Sequence, residues 1–519
     1  MSLLTTLARA EAVRARRAQP LTTVRHRHLS PRPLVLVPLT TAGEAAAPLG
    51  ALVGTDPASP ELLVVPQPRD RDLRFAFLAR LADVVLPYLE SYGAQVETEL
   101  RKGEELEVCA DAPQLLVPSA PGVEYVRLLG RSTRFRRTAE EEPDTPYPAP
   151  PRVPLLGRWL THYAERSRTP GSALLLPMTE LLGRHWATGQ SRLEDQHLGV
   201  LLAWIRGGDP DAVERARDAR GQLRTPPAGP ATDPAFDNRL LAPATARFDA
   251  GKPGAEEEIR ELLATQLRPT WDAVWEGLAL LRELPPGAHV AERWKSDRWS
   301  YTHHRDRLRA GEPPQPRRDD ATTAARKLAS RERAQAELAA GEALDDPLVM
   351  AEHRLAGQAF AGRVLHVEPA LSEGRSPRPR PLVTLETWDE PQLAEGTEVY
   401  RAKADGRTQT AEVVRTGARD AGDGAGPDGS DPDGPDAPRT VVLRLLNGMG
   451  RGKAPEEGSV PEAGDVLCFT CFEHSARAGA QLPDPEDTPW THGGPPAPHP
   501  GDAPRPPEAA DPVTPEDFL

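Results

Sequence analysis

The segment at 291–308 gathers residues that could bind a nucleic acid. It reads AERWKSDRWSYTHHRDRL and interleaves aromatic rings with cationic side chains. Aromatic rings can stack on bases, and arginines can pair with phosphates. The pattern therefore predicts a nucleic-acid interface, and the alternative is a structural segment whose tryptophans pack into the interior. The residues of this predicted interface are Trp294, Arg298, Trp299, His303, His304, Arg305 and Arg307.

A second arginine cluster lies in RLLGRSTRFRR at 127–137, which begins within a strand predicted at 124–129. Its members are Arg127, Arg131, Arg134, Arg136 and Arg137. So many cations in a short stretch are typical of a surface that faces phosphates. A solvated edge strand is the alternative interpretation.

The glycine-rich stretch NGMGRGK at 447–453 invites comparison with a phosphate-binding loop. The comparison fails, because Asn447 stands where the loop needs glycine and Ala454 stands where it needs a hydroxyl. We therefore expect a glycine turn between two strands of a small barrel, with Arg451 and Lys453 exposed. Such turns can hold nucleic acid in barrels of this kind.

Other candidate chemistry has a simpler explanation. Cys468 and Cys471 are three residues apart on a predicted strand, so their side chains should point to opposite faces. Ser191 and Glu194 have the spacing of a helix-capping box. A hydrolase site assembled from Glu194, Asp195 and His303 stays an alternative. We predict no catalytic residue, no metal site and no cofactor.

The composition does not exclude an anionic partner. The chain has 519 residues, 38% of them hydrophobic, and a formal net charge of −14. Two Pro- and Asp-rich tracts, 418–438 and 476–519, contribute −5 and −6 of that charge. The remainder is therefore close to neutral. The chain has only three cysteines, which fits a reducing compartment. We find no signal peptide and no apolar run of about 20 residues, so we predict a cytoplasmic protein with no membrane contact.

Hydrophobic periodicity predicts a multidomain α+β protein. The order is an N-terminal small α/β domain, a central helical region, a bridging helix, a C-terminal small β-barrel and a disordered acidic tail. Helices are predicted, among others, at 171–185, 255–267 and 271–284, and barrel strands at 363–367, 381–387, 398–402, 409–415, 440–446 and 465–472. The domains are predicted at 1–32 (basic arm), 33–139 (α+β), 154–310 (helical), 319–361 (bridging helices), 362–475 (barrel, with a disordered insert at 418–438) and 476–519 (tail). Phe518 and Leu519 at the tip of the tail are predicted to dock on a partner.

Several blocks of the chain look familiar when they are taken together. The blocks at 185–205, 229–243, 281–304 and 345–364 resemble a family of large, functionally uncharacterised actinobacterial proteins. The resemblance covers most of the chain and implies no activity. A bridging helix followed by a six-strand barrel that begins FAGRVLHVE resembles the stalk and β-barrel of up-frameshift-type superfamily 1 helicases. The helicase motor is missing, because the sequence has no Walker A or Walker B motif.

This second resemblance implies an accessory chain that works on nucleic acid beside a separate helicase or nuclease. We accordingly expect a non-enzymatic scaffold that binds DNA or RNA, in DNA repair or phage defence. One alternative is a protein-interaction hub without nucleic acid. The other is a metal-dependent hydrolase whose site comes from residues distant in sequence.

Overall fold

The computed structural model describes residues 2–44, 47–101, 103–373, 377–418, 438–450, 452 and 454–475. The chain divides into two compact units: the N-terminal unit is Leu7–Ala334, and the C-terminal unit begins at Gln335 and contains the barrel. None of the described helices is both long and apolar enough to cross a membrane.

The helices and strands of the N-terminal unit alternate in an α+β pattern. Its helices are α1 Leu3–Ala15, α2 Arg71–Ser91, α3 Ala120–Thr133, α4 Val153–Arg166, α5 Met178–His185, α6 Leu198–Arg206, α7 Pro210–Arg215, α8 Pro234–Phe236, α9 Ala242–Asp249, α10 Ala255–Glu283 and α11 Val290–Arg309. Its strands are β1 Gln19–Pro20, β2 Leu34–Thr40, β3 Pro48–Gly54, β4 Glu61–Val64, β5 Val96–Arg101, β6 Glu104–Cys109, β7 Leu115–Val117, β8 Leu175–Pro177 and β9 Trp186–Ala187.

A five-stranded sheet forms the centre of this unit, with the order β4-β3-β2-β7-β8. Strand β2 is parallel to β7, and β7 is parallel to β8, whereas β3 is antiparallel to its neighbours. Every residue of β2 (LVLVPLT) is buried, as expected for a strand that is covered on both faces. The carboxyl ends of three parallel strands therefore meet at one edge of the sheet.

One continuous core fills the N-terminal unit and includes residues from Ala18 to Tyr301. The stretches predicted as separate domains at 33–139 and 154–310 both contribute to it, so the link between them is not a boundary between compact units. The predicted basic arm at 1–32 also packs here from Leu7 onward. Ala12 of α1 is fully buried, and β1 pairs with β9.

Three local predictions are wrong. The residues predicted as a strand at 124–129 lie in α3, which begins after Ser119 with a proline in its first turn. Here Tyr125, Val126 and Leu129 are buried at helical spacing, although aromatic and β-branched residues also favour strands. The helix predicted at 171–185 is the strand β8 followed by α5. The helices predicted at 255–267 and 271–284 form the single helix α10, whose buried stripe continues through Pro269.

Helices α3 and α4 lie unusually close together. A Cβ atom on Gly130 would come within 2.6 Å of the Thr161 backbone nitrogen, and one on Gly157 within 2.5 Å of the Arg134 backbone nitrogen. No real side chain tolerates such a distance, so glycine is required at both crossing points. This contact fixes the position of the C-terminal end of α3.

The C-terminal unit contains the predicted closed barrel. Its elements are the end of α12 Ala321–Asp345, then α13 Pro347–Leu355, β10 Ala359–Glu368, β11 Leu382–Thr387, β12 Glu398–Ala402, β13 Thr408–Ala418, β14 Arg439–Leu445 and β15 Val466–Thr470. The strands close in the order β10-β11-β14-β13-β12-β15, and their inward side chains, such as Phe360 and Phe469, form a separate core. The prediction of a six-strand barrel is confirmed. Residues 419–437 of the predicted insert and the tail at 476–519 lie outside the described residues.

Candidate nucleic-acid interface

The two tryptophans of α11 are used inside the N-terminal unit. Trp294 is 7% exposed, its ring stacks on His28 with centroids 3.9 Å apart, and its Nε1 donates to Asp111 at 2.8 Å. Trp299 is half-buried, and its Nε1 donates to Glu99 at 3.0 Å. These contacts are those of an interior helix face.

The arginines of α11 are also engaged within the unit. Arg298 donates to the Cys109 carbonyl at 3.0 Å and to Glu97 at 2.9 Å. Arg305 is buried and donates to the Gly93 carbonyl at 3.0 Å, and Arg307 pairs with Glu312. Arg298 therefore faces carboxylates from a distant hairpin, whereas the acidic partners of Arg305 and Arg307, Asp306 and Glu312, lie close in sequence.

The adjacent histidines of α11 diverge, as helical geometry requires. His303 is exposed, whereas His304 is buried and stacks on His162 of α4 with centroids 4.2 Å apart. Burial lowers the pKa of His304 to about 3, and the nearby cations of Arg158 and Arg307 act in the same direction. His304 is therefore uncharged at neutral pH.

The second arginine cluster lies along α3 and just beyond its end. Arg127, Arg131 and Arg134 are spaced by four and three residues, so they share one side of the helix. Arg127 donates to Glu124 at 2.6 Å. Arg136 and Arg137 follow the helix, and Arg137 is exposed.

An aromatic ring stands in the middle of this cluster. Phe135 is 36% exposed, and the guanidinium carbon of Arg134 lies 4.6 Å from its ring centroid. The guanidinium of Arg317, from the segment that follows α11, lies 5.4 Å from the same centroid. We call this surface the Phe135 patch; its residues are Arg131, Arg134, Phe135, Arg136, Arg137 and Arg317.

The Phe135 patch is held in place by the buried part of Arg134. This residue is 3% exposed, and its Nε donates to the Gln315 carbonyl at 3.0 Å. Its Nη2 donates to the Pro316 carbonyl at 3.4 Å. Arg134 therefore ties the segment that carries Arg317 to the end of α3. Phe135 and Arg317 were not among the residues predicted from the sequence to bind nucleic acid. The position of Phe135 between arginines in RSTRFRR could have indicated its role.

The predicted barrel turn follows β14, and β15 comes after it. Gly448 and Gly450 have φ values of 77° and 85°, so this stretch needs glycine. Asn447 anchors it, because its Oδ1 accepts from the Thr410 backbone at 2.8 Å. Arg451 and Lys453, like Phe518 and Leu519 at the end of the chain, lie outside the described residues.

The remaining candidate groups have structural roles. Ser191 and Glu194 form the predicted capping box, with reciprocal hydrogen bonds of 2.7 and 3.3 Å. Asp195 accepts from Thr188 at 2.7 Å, and burial raises its pKa. Within the described ranges no group of three or more His, Cys, Asp or Glu side chains is arranged to hold a metal.

Comparison of the chain with protein-family models, with curated proteins and with solved structures finds no match. The resemblances to an actinobacterial family and to a helicase stalk and barrel therefore stay predictions.

Proposed function

We propose that this protein is an accessory subunit that binds single-stranded DNA or RNA through the Phe135 patch. One observation carries the proposal: an exposed aromatic ring lies against two guanidinium groups at the end of an arginine-bearing helix. Proteins that bind single strands without sequence preference combine stacking rings with a cationic track for the backbone.

Each component of the patch has a role in this proposal. The exposed part of the Phe135 ring stacks on a base, which contributes about 1–3 kcal/mol per base in such proteins. The flanking arginines contact the phosphates on either side. Because Arg134 is anchored in the interior, the ring and its neighbours are ordered before the strand arrives, and less conformational entropy is lost on binding.

This location is favoured over the side chains of α11. Trp294 is buried, and Arg298 and Arg305 already bond to backbone and acidic groups of the same unit. A strand that bound there would have to break these contacts. The Phe135 ring, in contrast, presents part of its surface to solvent.

The accessory role rests on the sequence and on the arrangement of the C-terminal unit. The chain has no Walker motif, and a long helix precedes a closed six-strand barrel. We propose that the protein acts beside a separate helicase or nuclease, in DNA repair or phage defence. The acidic tail that ends in Phe518 and Leu519 is the proposed docking segment for that partner.

Replacing Phe135 with alanine is expected to weaken binding of a fluorescent oligothymidine about tenfold or more, because one stacked base is lost. Fluorescence anisotropy at low salt measures this change. The matched control is Tyr147→Ala, since Tyr147 is another exposed ring, 75% exposed, with the Arg71 guanidinium 4.7 Å from its centroid. The control is expected to bind as the unchanged protein does.

Two results would count against the proposal. The first is no binding of any single-stranded oligonucleotide at low salt, which would favour the protein-interaction alternative. The second is equal weakening by Phe135→Ala and Tyr147→Ala, which would mean that the patch has no special role. Circular dichroism of both variants checks that each one is folded.

A further inference from the structure

A cavity of about 270 Å³ lies beside the carboxyl-terminal half of β2. One wall is Val37–Leu39 of β2, a second is the segment 222–234, and the third is the middle of α10. In open α/β sheets, ligands bind outside the carboxyl ends of the parallel strands. The cavity lies beside the carboxyl-terminal half of one of these parallel strands, near that edge of the sheet.

Two polar side chains of α10 line this cavity, whose other lining residues are apolar except for Gln222, Thr232 and Asp233. Gln266 and Thr270 are one helical turn apart and are 6% and 5% exposed. The Gln266 side chain makes one long hydrogen bond, from Nε2 to Thr265 Oγ1 at 3.4 Å, and no other within the described residues. The Thr270 hydroxyl makes none there. Both side chains therefore keep hydrogen-bonding capacity that a ligand in the cavity can use.

The lining restricts the chemistry of that ligand. No lysine, arginine or histidine is among the lining residues that the structure describes, and Asp233 contributes a carboxylate. A phosphate or other anion is therefore disfavoured. Pro226, Pro227 and Pro234 contribute rigid apolar walls. The volume is below the roughly 300–1,000 Å³ of sites for drug-sized ligands, which favours a small, neutral molecule.

We propose that the cavity binds a nucleobase, adenine being the best match. A glutamine side-chain amide offers one donor and one acceptor side by side, the pattern that pairs with the N6 and N7 atoms of adenine. Gln266 supplies this pair, and the Thr270 hydroxyl bonds to a further polar atom of the ring. The proline walls cover the faces of the ring.

The segment that closes the cavity is already fastened to the sheet. The Thr40 backbone N–H donates to the Pro230 carbonyl at 2.8 Å, and the Thr232 N–H donates to the Thr40 carbonyl at 3.0 Å. Ser119 Oγ donates to the Gly229 carbonyl at 3.1 Å. The cavity is therefore preformed, and the base enters without refolding of this segment.

The base can come from free adenine or adenosine, or from an unstacked adenine in a single strand. The inference does not depend on the Phe135 patch, because the cavity has its own polar groups and walls. Binding at the two places can be separated by testing free adenine, which carries no phosphate, against the oligothymidine used for the patch.

The test is saturation-transfer NMR and calorimetry with adenine and adenosine on the full chain. We expect both to bind and Gln266→Leu to weaken the affinity about tenfold or more, as expected for lost hydrogen bonds in a buried site. Gln392→Leu, the same change at an exposed position of the C-terminal unit, is the matched control and should leave the affinity unchanged. If Gln266→Leu does not fold, Thr270→Val takes its place in the test. This second variant should also weaken the affinity for adenine and adenosine.

Thermal melting gives an independent readout. Gln266→Leu should melt no lower than the unchanged protein in the absence of ligand, because leucine replaces an amide whose one hydrogen bond within the described residues is long. The variant should lose the rise in Tm caused by adenosine. No signal from either ligand at millimolar concentration, or equal affinity of Gln266→Leu and the unchanged protein, would overturn the proposal. Weaker binding of oligoadenosine by Gln266→Leu would identify a strand as the source, and unchanged binding would identify the free base.

Discussion

Replacing Asp297 with alanine is expected to lower the free energy of unfolding of the N-terminal unit by about 3–5 kcal/mol, the usual effect of breaking a buried ion pair from one side. Asp297 is 0% exposed on α11. Its Oδ1 accepts from Arg166 Nε at 2.8 Å and from Ser172 Oγ at 2.9 Å, and its Oδ2 accepts from the Ala173 N–H at 2.6 Å. The substitution leaves these three donors without their acceptor and detaches α11 from the segment that leads into β8.

Urea denaturation followed by circular dichroism measures this loss. The matched control is Glu292→Ala, because Glu292 is an exposed acid of the same helix that pairs with Lys295 at 2.9 Å. An exposed pair contributes only about 0–1 kcal/mol, so this control should change little. A loss below about 1 kcal/mol for Asp297→Ala would contradict the role of this carboxylate as the anchor of α11.

Acid is expected to destabilise the N-terminal unit well before its carboxylates are all protonated. Burial lowers the pKa of His304 to about 3 and that of His28 to about 4, and it also lowers the pKa of His162. The unfolded chain takes up these protons near the ordinary pKa of 6.5, whereas the folded chain does not. The free energy of unfolding is therefore unaffected by these groups above pH 6.5. It falls as the pH drops toward their folded-state values, by up to about 1.4 kcal/mol per pH unit for each histidine.

The measurement is urea denaturation at pH 7, 6 and 5 for the unchanged protein and for His304→Phe. Phenylalanine keeps a ring against His162 and Trp159 but cannot take up a proton. The free energy of unfolding of His304→Phe should fall less steeply with decreasing pH than that of the unchanged protein. The two slopes should differ by up to about 1.4 kcal/mol per pH unit, the contribution of one proton. Other groups around this pair, Arg158, Arg166, Arg307 and His303, are unchanged in the comparison. Parallel pH profiles for the two proteins would show that His304 is not responsible.

The C-terminal barrel was the most predictable part of the fold. Its strands alternate inward apolar and outward polar residues, as in the burial pattern of β14, and turn residues separate them. Period two is a local signal, so the positions of all six strands could be predicted. The core of the N-terminal unit could not be predicted in the same way, because it joins α2, α4, α10 and α11 through contacts between residues distant in sequence.

The candidate site shows the same limit at the level of single residues. Alternating Trp and Arg in α11 is equally compatible with a nucleic-acid surface and with a buried, ion-paired helix. The difference lies in Glu97, Glu99 and Asp111, which the fold brings to α11 from the β5–β6 hairpin and the residues just after it. For the second cluster, the arginines of α3 could be predicted as site residues from the sequence. It could not indicate that Arg317 would reach the ring of Phe135.

The cavity on α10 had a weak sequence signal. Gln266 and Thr270 lie at helical spacing between the apolar residues Leu263, Leu267 and Val274, all of which are fully buried. Polar residues within such a stripe are expected either to bond to each other or to face a site. Only the position of β2 and of segment 222–234 shows that they face a cavity.

Photocrosslinking tests the central claim most directly. A single-stranded oligonucleotide that contains bromodeoxyuridine is irradiated with the full chain at low salt, and the crosslinked residues are identified by protease digestion and mass spectrometry. We predict crosslinks at Phe135 or its immediate neighbours, with competition by unlabelled oligothymidine. Crosslinks confined to other segments, such as 291–308 or the turn at 447–453, or the absence of any competable crosslink, would contradict the assignment of the Phe135 patch as the nucleic-acid interface.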